Sequence, residues 1–369
     1  LRLGSHLSSA EAYHAHLLSE RAGQCAKLTD VEALIKHTQV FVGTTSAFNA
    51  QLSLFDVKQF DLAIIDEASQ ILEPHLVGLL SAHNKRGMAI RKVVMIGDHK
   101  QLPAVVQQDE KDSRVDDPLL HEIGLTNCRL SLFERLLKRY RHDPAVTYLL
   151  TKQGRMHPAI ADFPNRHFYQ GQLEPVPLPH QQRQLEASCE AEGMTALLQG
   201  RRVAFIHVPL PTDSPSDKVN LPEAVLIAQT VAAIYHMRPK RFNPLSTVGI
   251  IVPYRNQIAT IRRCLESYGI PLLQQVTIDT VERYQGSQRD YILYGFTIQR
   301  CYQLNFLTNN VFEEDGCLID RKLNVAMTRA REHLYLFGNA PLLSLNTTFR
   351  ELIEEYSIHS TFNLKQRNE

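Results

Sequence analysis

"FDLAIIDEASQ", Phe60 to Gln70, runs four apolar residues, Leu62 to Ile65, straight into an Asp-Glu pair and then small side chains. An unbroken apolar run without alternation is how a strand of a parallel sheet reads, because both of its faces are covered. In open α/β sheets ligands sit beyond the carboxyl ends of the strands, which is where Asp66 and Glu67 stand. An Asp in that place can hold magnesium through its water shell, and an adjacent Glu can orient an attacking water; phosphoryl transfer needs both. On its own the pair is more often the ending of an ordinary solvated strand.

The surrounding sequence repeats the rhythm. "TQVFVGTT" (38–45) and "RKVVMIGDHKQL" (91–102) are further β-branched runs ending in small or polar residues, with the helical pattern "QILEPHLVGLLSAH" between the last two strands. A new set begins near residues 141–150, with strands expected at "VAFIHV" (203–208), "STVGIIVP" (246–253), "QQVTIDTV" (274–281), "RDYILYGFT" (289–297) and "EHLYLFGN" (332–339). Helical periodicity fills the gaps, notably Leu221 to Met237 and Asn256 to Tyr268. This alternation predicts an α/β protein with two parallel-sheet domains. Residues 1–37 read as a polar, amphipathic helical segment before or linking to the first domain, 38–142 as that domain, 143–345 as the second, and 346–369 as a polar C-terminal tail. Residues 174–200 and "LPTDSPSDKVN" (210–220) read as surface insertions, being rich in Pro and polar residues.

The bulk numbers exclude several classes. A chain of 369 residues allows two ordinary cores, and no apolar run approaches the roughly 20 residues of a membrane span. The six cysteines include no CxxC pair, so neither a zinc site nor a disulfide framework is indicated; buried thiols in a reducing cytoplasm are expected. The net charge of +1 gives no global attraction to a polyanion, so any nucleic-acid contact must be local.

"VVMIGDHKQLPAVV" adds a second strand end, where Gln101 could touch a terminal phosphate from the sheet edge. Taken in order, "VFVGTTSAF", "LAIIDEASQ", "IGDHKQLPAVV", "LSLFERL", "RMHPAIADFPNRHFYQGQL", "VGIIVPYRNQ", "VTIDTVERYQGSQRDYIL" and "RKLNVAMTRAREHLYLFGN" span Val40 to Asn339. In these eight stretches the chain resembles the motor core of superfamily 1 helicases, in the group of the nonsense-mediated-decay helicase and its bacterial relatives.

The resemblance implies two RecA-like domains of the P-loop NTPase class, with ATP in the cleft between them. Asp66 would be the magnesium-associated acid, Glu67 the base that activates water, and Gln101 the sensor of the γ-phosphate. Arg155 and Arg329 would be arginine fingers, a role worth about three to five orders of magnitude in rate. Gly286 would let the backbone approach closely, and Gln288 would touch ribose or phosphate. Single-stranded nucleic acid, DNA or RNA, would lie across the tops of both domains. Thr44 and Thr45 would hold its phosphates on the first, and Pro253, Tyr254, Arg255 and Thr280 on the second. The group's usual polarity is 5′ to 3′. Arg331, two residues from Arg329, faces elsewhere on a helix and reads as structural or ion-paired, and His157 as a helix start without a catalytic part.

Two departures stand against the pattern. Gly-Lys occurs nowhere, so the sequence holds no GxxxxGK[ST] loop to cradle phosphates. The expectation is a C-terminal piece whose P-loop lies upstream, inactive as it stands. Secondly, Gly154 occupies the place before "RMHP" where the group usually has an aromatic residue that stacks on adenine. Its loss would weaken base binding by about 1 to 3 kcal/mol. A module that keeps the helicase fold and binds nucleic acid without ATPase activity is the alternative.

Overall fold

The computed structural model describes residues 1–185 and 191–358. The chain divides into two compact units, Leu1–His99 with Pro103–Tyr148, and Lys100–Leu102 with Leu149 onward.

In the first unit the run that ends in Asp66 and Glu67 forms strand β1, Ala63–Ile65, and the run that ends in Gly97 and Asp98 forms β2, Val93–Met95. They pair in parallel, Ala63 with Val93 and Ile65 with Met95. A small cluster of Phe55, Leu79, Ala89 and Ile90 packs against Ala63 on one side. On the other side Ile64 is 64% and Val94 46% exposed. The expectation of strands covered on both faces fails here, because two strands are too narrow a sheet to carry a layer of helices on each face. The stretch 38–45 is not a strand either. Val42 makes an isolated bridge to Arg2, and the chain then turns into the helix Thr45–Asn49. Residues 1–37 belong to this unit and do not merely precede it. Arg2 and Leu3 donate backbone hydrogen bonds to His16 and Val42, and Leu3 and Leu17 are buried.

The second unit carries a five-stranded sheet of β3 (Val203–His207), β4 (Val248–Ile251), β5 (Thr277–Asp279), β6 (Arg289–Gly295) and β7 (Ala330–Gly338). The order across the sheet is β3-β7-β6-β4-β5, and every pair is parallel. Side chains alternate between two cores, as a strand's period of two requires. Phe205, Ile292, Tyr294, Leu334 and Leu336 enter one, with helices α1 (Pro158–Phe168), α4 (Arg321–Met327) and α5 (Thr347–Tyr356). Ala204, Ile206, Leu293, Tyr335 and Phe337 enter the other, under α2 (Leu221–Met237) and α3 (Arg255–Glu266). Asn220 caps α2 through Glu223 N, Pro222 sits in its first turn, and the bounds match the 3.6-residue pattern of the sequence.

Three expectations change in this unit. The segment 174–200 is not simply an insertion: Glu174–Pro175 pairs with Lys152–Gln153, and helix Gly193–Gly200 buries Leu197 and Leu198 in the α2 core. The polar tail expected from 346 begins with α5, whose Phe349, Leu352 and Ile353 share one buried face; residues 359–369 of that tail lie outside the described residues. The thiols are not buried: Cys128 and Cys301 are exposed and Cys25, Cys264 and Cys317 half-buried, while Cys189 lies outside the described residues. No helix among the described residues is long and apolar enough to cross a membrane.

Candidate active site

At the carboxyl end of β1 the chain makes a tight turn through Glu67, a non-glycine residue at φ 51°. Such a conformation is costly for a side chain and persists only where its surroundings fix it. Here Asp66 Oδ1 accepts from Glu67 N at 2.9 Å, Gln70 Nε2 donates to Glu67 Oε2, and Ala68 N donates to Ile96 O beyond β2. Buried Ser69 completes the clamp by accepting from Asp98 N through its hydroxyl at 3.3 Å. Gly97 is required beside it, because a Cβ there would lie 2.9 Å from Ser69 N. Both carboxylates remain exposed.

Among the described residues no three His, Cys, Asp or Glu side chains are grouped to hold a metal ion. Asp66 is exposed, with one carboxylate oxygen fixed by Glu67 N.

Gln101 belongs by its contacts to the second unit. Lys100 pairs with Glu314 at 3.1 Å, Asn324 Nδ2 donates to Lys100 O, and Leu102 is buried in the α1 core. Gln101 Oε1 accepts from Arg329 Nη2 at 3.0 Å. Arg329 is only 2% exposed, and its guanidinium also donates to Val325 O and to Thr328 Oγ1, both at 3.1 Å. Arg155 approaches the same residue, Nη1 donating to Thr328 O at 3.3 Å, while its Nε donates to Gln288 Oε1 at 3.2 Å. Two guanidiniums therefore meet at Thr328, and each also donates to the side-chain oxygen of a glutamine, Arg155 to Gln288 and Arg329 to Gln101. Thr328 ends α4 immediately before Arg329, and the register of α4 and β7 holds that arginine's stem in the core.

Sequence reasoning missed Thr328 as the hub. Its signal was the step from helix to strand in "MTRAREHLYL". Arg331 is ion-paired with Asp290 at 2.9 Å, and His157 caps α1 by accepting from Ala159 N through Nδ1. Gly286 has φ 79°, the left-handed region that glycine enters without penalty, and is exposed in the loop before Gln288. A Cβ on exposed Gly154 would meet Leu178 Cδ1 at 3.3 Å, so an apolar side chain already lies beside the place where an aromatic ring was expected.

The strand-binding candidates fall in two groups. Thr44 caps the helix Thr45–Asn49, its Oγ1 accepting from Ala47 N, and Thr45 is the first residue of that helix. In the second unit Pro253 and Tyr254 lead from β4 into α3. Tyr254 is half-buried, stacks on Phe306 at 5.3 Å and accepts from Gln303 Nε2, and its phenol is shifted upward by burial. Arg255 is exposed at the start of α3, and Thr280 caps the turn Val281–Tyr284 without using its hydroxyl. Buried behind them lies a polar knot. Glu223 Oε2 accepts from Thr297 N, and its Oε1 accepts from Thr297 Oγ1 and Gln257 Nε2, while Gln257 also exchanges hydrogen bonds with Asn220.

A family described as AAA domain matches residues 128–341, and a second family of the same description matches residues 9–109. The helicase sen1 of Schizosaccharomyces pombe is 27% identical over 88% of this chain and 17% of its own length. The regulator of nonsense transcripts 1 of Dictyostelium discoideum is 28% identical over 88% of this chain and 22% of its own. The DNA replication ATP-dependent helicase/nuclease DNA2 of Bos taurus is 29% identical over 86% of this chain and 28% of its own. The chain thus spans well under a third of the length of each of these relatives.

Proposed function

Because the chain belongs to the AAA-domain family, in the superfamily 1 helicase group of these relatives, we propose that it is part of an ATP-driven motor that translocates on single-stranded nucleic acid. The meeting of Arg155 and Arg329 at Thr328, with Gln288 and Gln101 accepting from them, carries this reading. A binding module has no chemical use for two guanidiniums fixed in this manner, whereas phosphoryl transfer spreads negative charge over oxygens that such groups neutralise.

In this reading Glu67 accepts the proton of the attacking water, and its turn holds the carboxylate ready. Asp66 would hold magnesium, which when bound would supply positive charge against the phosphates. Gln101 and Arg329 act as a coupled pair: a γ-phosphate that takes the Arg329 guanidinium displaces the Gln101 carboxamide, so the state of the nucleotide is passed to Lys100–Leu102 and from there to β2. Thr44, Thr45, Arg255 and Thr280 hold strand phosphates, and Tyr254 braces Arg255 from within the Phe306 stack. Movement is 5′ to 3′, and the strand is DNA or RNA, since contacts to phosphate do not report the sugar.

The 369 residues contain no GxxxxGK[ST] loop, and we assign that loop to a further segment of the same protein, which the much greater length of the relatives supports. Nucleic-acid-stimulated ATP hydrolysis should therefore be near background for the 369-residue chain. In a protein that joins these residues to such a loop it should be robust and depend on Glu67. Turnover by the shorter chain would overturn the missing-loop argument. Absence of turnover in the longer protein would overturn the motor and favour the alternative of an ATPase-deficient binding module, which Gly154 also suits.

A further inference from the structure

On the α2 side of the second sheet, at the amino ends of β6 and β7, lies a cavity of about 640 Å³. Among the described residues its lining brings together Arg183, Arg202, Arg238, Lys240 and Arg241 with a single acid, Glu332. Glu332 is already committed, both carboxylate oxygens accepting from Arg183 Nη1 at 2.9 Å. Asp290, just outside, is paired with Arg331. None of Arg202, Arg238, Lys240 and Arg241 makes an ion pair among the described residues. Arg202 is 6% exposed, and its guanidinium rests on two backbone carbonyls, those of Glu332 at 3.1 Å and of Arg183. Burial holds it below the usual arginine range, with Glu332 opposing and the neighbouring Arg183 assisting.

Carrying several cations together in one recess raises their mutual repulsion, and a concave wall of one sign focuses potential into the space. The cluster is not explained by the sheet, whose core here is apolar, nor by the Thr328 cluster, which uses other arginines. The aromatic groups nearby are spent. Tyr291 and His333 stack face to face at 4.4 Å, both buried, and Arg238 lies over the Tyr291 ring. No ring face is left for a base, so recognition here rests on charge.

We propose that this cavity binds phosphate groups, in a free oligophosphate or in the backbone of a nucleic-acid strand. Planar guanidiniums match the paired oxygens of a phosphate, and the volume lies within the range of small-molecule sites.

The test titrates sodium pyrophosphate into the 369-residue chain by calorimetry at constant ionic strength, up to about 10 mM, above the millimolar range of a weak site. The same titration is made on Arg238→Ala/Arg241→Ala, on Lys240→Glu/Arg241→Glu, and on Arg155→Ala/Arg329→Ala, each checked for native circular dichroism. The two cavity variants alter α2's end and the exposed turn after it, so at least one should fold. Binding to the parent chain, weakened about tenfold or more by the cavity changes and kept by Arg155→Ala/Arg329→Ala, is the expected result. Loss only in Arg155→Ala/Arg329→Ala, or no saturable binding to the parent chain, would overturn the proposal. A short oligothymidylate separates the sources. Displacement of pyrophosphate by the oligonucleotide, sensitive to the cavity variants, assigns the site to a strand; pyrophosphate binding that the oligonucleotide leaves unchanged assigns it to a free oligophosphate.

Discussion

Replacing Glu223 with Gln should remove part of the pH dependence of stability. The carboxyl is fully buried in the second unit, and burial raises its pKa from 4.5 to about 7 against the opposing pull of three hydrogen bonds, from Thr297 Oγ1, Thr297 N and Gln257 Nε2. The folded state thus holds this proton more tightly than the unfolded chain. The stabilisation that follows is complete below pH 4.5 and is lost as the pH rises through about 7. At 1.36 kcal/mol per decade of affinity, the loss amounts to about 3 kcal/mol between those limits. Glu223→Gln does not titrate. Its amide nitrogen must face either Thr297 N–H or the Gln257 amide, both donors, so at pH 5 the variant should be less stable than the parent by about 1 to 3 kcal/mol. By pH 8 the difference should have moved about 3 kcal/mol in the variant's favour. Urea unfolding of both proteins by far-ultraviolet circular dichroism at the two pH values measures this, since the chain has no Trp to report by fluorescence. Asp320, raised to about 6 by burial, titrates in both proteins and cancels in the comparison. Parallel pH dependences for parent and variant would refute the assignment of a buried, proton-binding carboxyl.

Three further outcomes follow from the structure. In a protein with nucleic-acid-stimulated ATPase, Arg329→Lys should lower turnover by about 10³-fold or more while nucleotide affinity changes little, because an ammonium cannot span Val325 O, Thr328 Oγ1 and Gln101 Oε1 together; single-turnover kinetics separates the two effects. Phe349→Ala in α5 should cost the second unit about 3 to 5 kcal/mol, since its buried ring packs on Phe296; urea unfolding reads it, and a loss under 1 kcal/mol would mean that the helix is not part of the core. Arg255→Ala should reduce the slope of log affinity against log salt by about 0.7, the value for one phosphate of a single strand, with a fluorescent oligonucleotide as probe.

The second sheet was legible because its strands are buried on both faces. Four of the five predicted runs carry contiguous apolar residues that enter two cores alternately, and parallel pairing needs no other signal. The first unit was less so: β1 and β2 have the same kind of sequence yet expose Ile64 and Val94. Apolar continuity reports what a strand is suited to, and the number of neighbours decides what it buries. The last helix was missed for the opposite reason. Thr347 to Tyr356 is mostly polar, and the four side chains it buries are too few to stand out until the core that receives them is known.

The candidate site shows the same division between chemistry and partnership. Asp66, Glu67, Arg155 and Arg329 are recognisable as residue types at characteristic positions, but a sequence cannot say that Arg329 is almost wholly buried or that its guanidinium reaches Gln101. That arrangement changes the meaning of both residues. An arginine whose charge is fully solvated in the resting state must pay to leave water when phosphate arrives; one already held by a carbonyl, a hydroxyl and a carboxamide has lost that water beforehand, and it exchanges one neutral oxygen for a charged one. Under the proposed function the energy of that exchange would be available to move Gln101 and the segment Lys100–Leu102 that bears it. Gln101→Ala therefore separates two roles: if the carboxamide only touches phosphate, nucleotide affinity falls and coupling to strand binding persists, whereas if it relays the state of Arg329, affinity is kept and the dependence of strand affinity on nucleotide is lost. Measuring oligonucleotide affinity with and without bound nucleotide, in the protein that carries the phosphate loop, decides between them, and unchanged coupling would refute the relay.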